Sequence, residues 1–215
     1  MLSVKINDVK YFLPEGWNEI KFGKFLDIAR IVEKASEYTN YNQYVVKLIS
    51  CVMDAPYEVV ADLDQEDLLQ LIDNMQWAYD LAPDNNFKKH INLNGVDYAF
   101  KDNMKLKMSE TITMETIIKQ NGNDNISSFP LVLACLLRPA KKSVVVETGE
   151  DLWIQDPLDE DFEALQKRAD IFKEHIMVND VYGALVFFSN IVTNSLMKPT
   201  ETSSKTKIKI EKVNS

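Results

Sequence analysis

One short pattern occurs twice in this chain. Val4-Lys5-Ile6-Asn7-Asp8-Val9-Lys10-Tyr11 alternates around Asn7-Asp8, and Ile91-Asn92-Leu93-Asn94-Gly95-Val96-Asp97-Tyr98 alternates around Asn94-Gly95. A period of two gives a strand one face to bury. A two-residue turn of asparagine with aspartate or glycine joins two such strands, because these residues tolerate positive φ. The paired asparagines lie 87 residues apart. Recurrence at that interval predicts two related modules, 1–86 and 87–198, followed by a tail over 199–215.

The stretches between the hairpins read as helices. In the first module Pro14 stops the second strand. Phe22, Phe25, Ile28, Ala29 and Val32 form a helical stripe over 22–34, and Val45, Leu48, Ile49 and Val52 form another over 41–53. Pro56 separates the next segment. There, Asp64-Gln65-Glu66-Asp67 places acids at a helix N-terminus ahead of Leu68, Leu71, Ile72, Met75 and Tyr79. Residues 82–86 close the module as a polar turn.

The second module repeats the plan with a helix over 109–119, capped by Ser109, and an apolar helix over 127–137 that stops at Arg138-Pro139. Cys51 and Cys135 fall at matching places, 84 residues apart. An insertion over 141–175 is the departure. It reads as strands at 144–146 and 152–154 around a turn at 147–150, then a charged helix over 159–174 with Phe162, Leu165, Ala169 and Phe172 inward. The last helix, 179–197, is apolar nearly all round and is expected at the centre. The fold class is therefore α+β: two related β-hairpin-plus-helices modules sharing a mainly helical core, with a strand-like C-terminal tail.

Chemistry is hard to place on this sequence. The formal net charge of −9 and pI of about 4.8 disfavour nucleic acid and anionic membranes as partners. The apolar stretches 130–137 and 182–192 are too short or too polar to span a bilayer. The chain opens without a secretory signal pattern, and its two cysteines sit in apolar runs, which points to reduced, buried thiols in a cytoplasm. His90 and His175 have no Cys or His at ligand spacing; His90 reads as the exposed start of a strand and His175 as a helix-end residue. With 6 glycines there is no phosphate-cradling loop and no nucleophile elbow. Carboxylates crowd 147–163 without the register of a calcium loop and read as a solvated or docking face. No catalytic residue, cofactor-binding residue or metal ligand is assigned, and no cofactor is expected. Two features remain as candidate partner-binding sites. Tyr38, Tyr41 and Tyr44 are spaced three apart, either as an aromatic interface edge or as packing between helices. The tail alternates Lys with Ile208 and Ile210, either as a loose end or as a strand added to an exposed sheet edge, its own or a neighbour's.

Taken together, the segments 4–20, 93–98, 133–139 and 182–188 resemble a family of proteins from tailed phages of Bacteroidetes hosts, crAss-like phages among them. The resemblance covers most of 4–197 and little of the tail. The sequence departs from the family pattern at Met108-Ser109-Glu110-Thr111, where a threonine-glycine-glutamate turn into the helix is expected. Members are similar to tail-assembly chaperones or small virion structural proteins. The resemblance does not choose between them; with the duplication, the acidity and the missing chemistry, the favoured expectation is a non-enzymatic morphogenesis factor, a tail-assembly chaperone. It would bind a tape-measure-like or other tail protein in the host cytoplasm through an apolar groove with an acidic rim. The alternative is a ring, connector or baseplate subunit of the virion, a possible homo-oligomer, whose tail is an inter-subunit arm.

Overall fold

Both asparagine turns close hairpins as two-residue loops. Asn7 and Asp8 take φ of 49° and 64°, and Asn94 and Gly95 take 52° and 81°, which is the left-handed geometry of a type I′ turn. The first joins β1 (Leu2–Ile6) to β2 (Val9–Leu13), with Ile6 opposite Val9. The second joins β3 (His90–Leu93) to β4 (Val96–Ala99), with Leu93 opposite Val96. The structure, a computed structural model, describes residues 1–79, 81, 83, 87–101, 106–122, 124–144, 151–158 and 161–186.

Capping side chains set the first helices. After a 3-10 turn at Trp17–Glu19, α1 (Phe22–Glu33) buries Phe22, Phe25, Ile28 and Ala29. Asn40 opens α2 (Tyr41–Met53) by accepting the Asn42 N–H at 2.8 Å, and Asp54 ends it in the left-handed conformation. Pro56 does more than separate segments: it opens a short helix, α3 (Tyr57–Ala61). Asp64 accepts the Asp67 N–H at 2.9 Å at the start of α4 (Gln65–Asn74). That helix is shorter than its stripe, because the chain tightens into a 3-10 turn at Gln76–Ala78; Met75 is buried all the same.

Beyond the second hairpin come α5 (Met108–Gln120) and α6 (Asn125–Leu136), the latter capped by Asp124. The expected serine cap of α5 is not formed. Lys107 is the capping residue, and Ser109 lies inside the first turn. The insertion begins earlier than its valines suggest. β5 (Arg138–Val144) starts directly after α6 and pairs with β4 at one end and β6 (Asp151–Gln155) at the other. The expected turn at 147–150 and the strand residues 145 and 146 lie outside the described residues. Then α7 (Phe162–His175) runs back along α6, and α8 covers residues 178–186. The rest of the expected last helix, and the tail with Ile208 and Ile210, lie outside the described residues, as does all of the 82–86 turn but Pro83.

The result is α+β: a two-stranded sheet β1-β2, a four-stranded antiparallel sheet β3-β4-β5-β6, and helices enclosing one apolar core. Hairpin, helix, helix occurs in each half, with α1 and α5 starting 86 residues apart. The core is not divided at residue 86. Phe22, Leu48, Met114, Leu133 and Phe172 belong to one buried cluster. The two halves also share backbone bonds: the Phe22 N–H donates to Ile176 O at 2.8 Å and the Val178 N–H to Ile20 O at 3.0 Å. Within α8, Val181, Ala184 and Leu185 are buried, as expected of a central helix, while Val186 is exposed.

Gly23 sets how closely α1 approaches α7. A Cβ there would stand 2.9 Å from the Lys173 carbonyl oxygen, which is backbone and cannot swing away. Gly23→Ala is expected to force the helices apart and cost about 1–3 kcal/mol, read as a lower denaturant midpoint at unchanged slope. An unchanged midpoint would show that this approach is not tight.

Candidate functional site: a groove along helix α5

Glu110 sits in the first turn of α5 and is buried, although it is an acid. Three donors reach it. Arg138 Nη2 donates to its Oε1 at 2.8 Å, the Lys107 N–H donates to Oε2 at 2.7 Å, and Lys101 Nζ also bonds Oε2. Arg138 comes from the first residue of β5, so α5 is tied to the four-stranded sheet. Its Nη2 also donates to Gln155 Oε1 at 2.7 Å, and Gln155 Nε2 donates onward to Ala99 O and Leu136 O. The cluster therefore joins β4, β5, β6, α5 and the end of α6. Burial pushes the Glu110 carboxyl up. Hydrogen bonds from Lys101 and the Lys107 amide, with the charges of Lys101 and Arg138, outweigh it and hold the carboxyl below its ordinary range.

Above this cluster an open groove of about 540 Å³ runs along α5. One wall is a face of the helix: Ser109, Ile112, Thr113, Thr116 and Gln120, spaced at three and four. The other wall is Pro157, Leu158, Phe162 and Leu165 from the start of α7 and the turn before it. Ile112 is 56% exposed, Phe162 52% and neighbouring Met108 74%. Phe162 was expected inward with Leu165, Ala169 and Phe172. Those three are buried, but Phe162 lies in the first turn of α7 and stands at the groove instead.

The two threonine hydroxyls on the helix wall are already used. Thr113 Oγ1 donates to Ser109 O at 2.9 Å and Thr116 Oγ1 to Ile112 O at 2.8 Å. Such back-bonded threonines satisfy their own protons and leave methyl groups to face a neighbour. The described lining of the groove is therefore mostly apolar; Asp159 and Glu160, where an acidic rim would fall, lie outside the described residues. Among the described residues the charged ones lining it are Lys107 and the paired Glu110 and Arg138. From Ser109 to Gln120 it spans about 16 Å, three turns of a helix.

The sequence candidates fall elsewhere. Tyr38, Tyr41 and Tyr44 do meet: Tyr44 stands 5.8 Å from Tyr38, 6.0 Å from Tyr41 and 6.5 Å from Tyr79, centre to centre. Tyr44 is buried, Tyr38 half-buried and Tyr41 66% exposed, so only Tyr41 offers most of its ring to a partner. His90 is half-buried rather than exposed. Its ring stacks on Trp153 at 3.7 Å, and its Nε2 lies 2.8 Å from Asp97 Oδ1. His175 ends α7, as expected. Both cysteines are free thiols: Cys135 is buried and Cys51 half-buried, with its pKa pushed to about 11 by burial. Among the described residues no group of His, Cys, Asp and Glu could hold a metal, and no helix is long and apolar enough to cross a membrane. Comparison with protein-family models, curated proteins and solved structures finds no match.

The groove was nearly invisible in the sequence. The apolar residues Ile112, Met114, Ile117 and Ile118 surround α5 rather than lining one side, so no periodicity singles out Ile112 as uncovered. Glu110, in the third position of the helix, is the one usable signal, since an acid there reaches back to the capping amide.

The depressed carboxyl has a testable consequence. A group whose pKa falls on folding contributes stability above its unfolded value, here 4.5, and loses it as pH drops through the folded value. Glu110→Gln is expected to cost about 3 kcal/mol at neutral pH, because it strands Arg138. The gap between variant and wild type should narrow as pH falls below 4.5. A gap that stays constant into acid would mean that the charge on Glu110 contributes nothing.

Proposed function

We propose that this protein is a non-enzymatic phage morphogenesis factor, a tail-assembly chaperone. It holds a helical segment of a tape-measure-like or other tail protein in the α5 groove. The observation that carries this reading is the groove itself. Among the described residues it is mostly apolar, open and as long as three helical turns, which is the geometry of helix-in-groove recognition. The phage context rests on the resemblance of 4–20, 93–98, 133–139 and 182–188 to the tailed-phage family. A tape-measure protein is long and helical, and its exposed apolar stripes would aggregate unless covered until assembly. A chain of net charge −9 keeps such a complex soluble.

Ile112 and Phe162 face each other across the groove and belong to the surface, so each can be made polar without opening the core. Ile112→Asp and Phe162→Asp are expected to leave the melting temperature within a few degrees and weaken capture of the tail protein at least tenfold. That is the least that about 1.5 kcal/mol per buried side chain would give. Mass spectrometry of affinity-purified complexes from infected cells identifies the captured protein, and washed virions should lack this chain. Unchanged capture by both variants would remove the groove from the mechanism. Stoichiometric copies in washed virions would overturn the chaperone reading in favour of a structural subunit.

A further inference from the structure

The β1-β2 sheet has an open edge whose chemistry selects its occupant. In a two-residue hairpin the residues flanking the turn exchange both backbone hydrogen bonds, and bonded pairs alternate along the strands. With Ile6 opposite Val9 and Val4 opposite Tyr11, the amides of Val4 and Ile6 bond to β2. The N–H and C=O groups of Ser3 and Lys5 point the other way. Among the described residues no strand other than β2 pairs with β1. A free edge of this kind is a template for another strand. Beside it lies a cavity of about 310 Å³ between β1 and α4, lined by Val4, Ile6, Leu63, Leu71 and Asp67 among others.

Charge and the apolar cavity together mark this edge. Residues 48–87 contain nine Asp and Glu and no Lys or Arg, so the excess negative charge of the chain is concentrated there. Glu58, Asp62, Asp64, Glu66, Asp67 and Asp73 lie on or beside α3 and α4, and none joins an ion pair within the described residues. Of the other strand edges, those of β2 and β3 have lysines beside them, while β6, at the far edge of the four-stranded sheet, begins at Asp151 and is acidic too. The outer side of β2 opens on Lys10, Lys21 and Lys24 together with Glu19 and Asp54, and β3 follows Lys88 and Lys89; what β6 lacks, among the described residues, is the apolar cavity that Val4, Ile6, Leu63 and Leu71 form beside β1.

One part of the chain matches both requirements. Residues 205–213 alternate with the period of a strand and hold four lysines against one glutamate. We propose that this segment adds to the free edge of β1 of its own chain as a third strand. Ile208 and Ile210 then share the core-facing side with Val4 and Ile6, and Lys207 and Lys209 share the outer side with Ser3 and Lys5. Outer lysines also stop a fourth strand from joining. The reach is sufficient. Lys205 lies nineteen residues beyond Val186, up to about 60 Å of extended chain, against a radius of gyration of about 17 Å for a chain of this size. Tethering on that scale supplies an effective concentration near millimolar, which favours the chain's own tail over a neighbour's.

Amide hydrogen exchange by NMR on the full-length protein tests this. In the wild type the Ser3 and Lys5 amides should exchange at least tenfold more slowly than in the full-length I208D/I210D variant. The Val4 and Ile6 amides should be equally protected in both, showing that the hairpin is intact. In the wild type alone, nuclear Overhauser contacts should link residues 3–5 to 207–211, a readout that needs no substitution. Equal exchange of Ser3 and Lys5 in both chains, or the absence of those contacts, overturns the proposal. Protection that falls on dilution together with a dimer mass overturns the assignment to the same chain.

Discussion

The Glu110–Arg138 ion pair fixes how the second half of the fold is assembled. A carboxylate and a guanidinium are expensive to take out of water, and each is tolerable here because the other meets it. The cost of separating them is what specifies geometry. If α5 slid by one turn, Glu110 would leave its partners Arg138 and Lys101. If β5 slipped by one residue, Arg138 would turn to the opposite face of the sheet. Gln155 extends the constraint to β4 and to the end of α6 through its side-chain amide. Apolar packing holds these elements together, and the polar cluster decides the register in which they meet.

That register leaves one side of α5 uncovered. Glu110 is drawn inward at the start of the helix, Met114, Ile117 and Ile118 follow it into the core, and Ile112 and Thr116 are left outside with Phe162 opposite. The groove is thus a by-product of how the helix is anchored, in a fold where Phe25, Leu48, Leu133 and Phe172 are covered. Its described lining, mostly apolar, contrasts with the acidic α3–α4 region. Such a division suits a protein that presents an apolar channel to one polypeptide and stays soluble through the rest of its surface.

Local chemistry was legible in the sequence where few residues decide the outcome. Asn7-Asp8 and Asn94-Gly95 gave both hairpins, since two positive-φ positions are a strong restriction. The expected bounds 41–53 coincide with α2, where Asn40 caps the start and an apolar stripe fills one face. Elements held by their partners were not legible. β5 reads Arg-Pro-Ala-Lys-Lys-Ser-Val, with no alternation and a proline, and it is a strand because β4 and β6 flank it. α3 is a single turn-and-a-half that Pro56 begins and burial of Val60 secures. Glu110 and Phe162 exchanged places relative to their polarity, because tertiary pairing buried the acid and the end of a helix exposed the ring. Tyr41 and Tyr44 show the same limit, as spacing of three placed the rings together without telling which one solvent reaches.

A double-mutant cycle on Glu110→Gln and Arg138→Met, read by equilibrium unfolding at neutral pH, isolates the interaction that organises the fold. Each single change strands the other buried group, whereas the double change removes both. The expected interaction energy is about 2 kcal/mol or more, with the double variant more stable than the sum of the two singles allows. Additivity within about 0.5 kcal/mol would contradict it and leave the position of α5, and the groove beside it, to apolar packing alone.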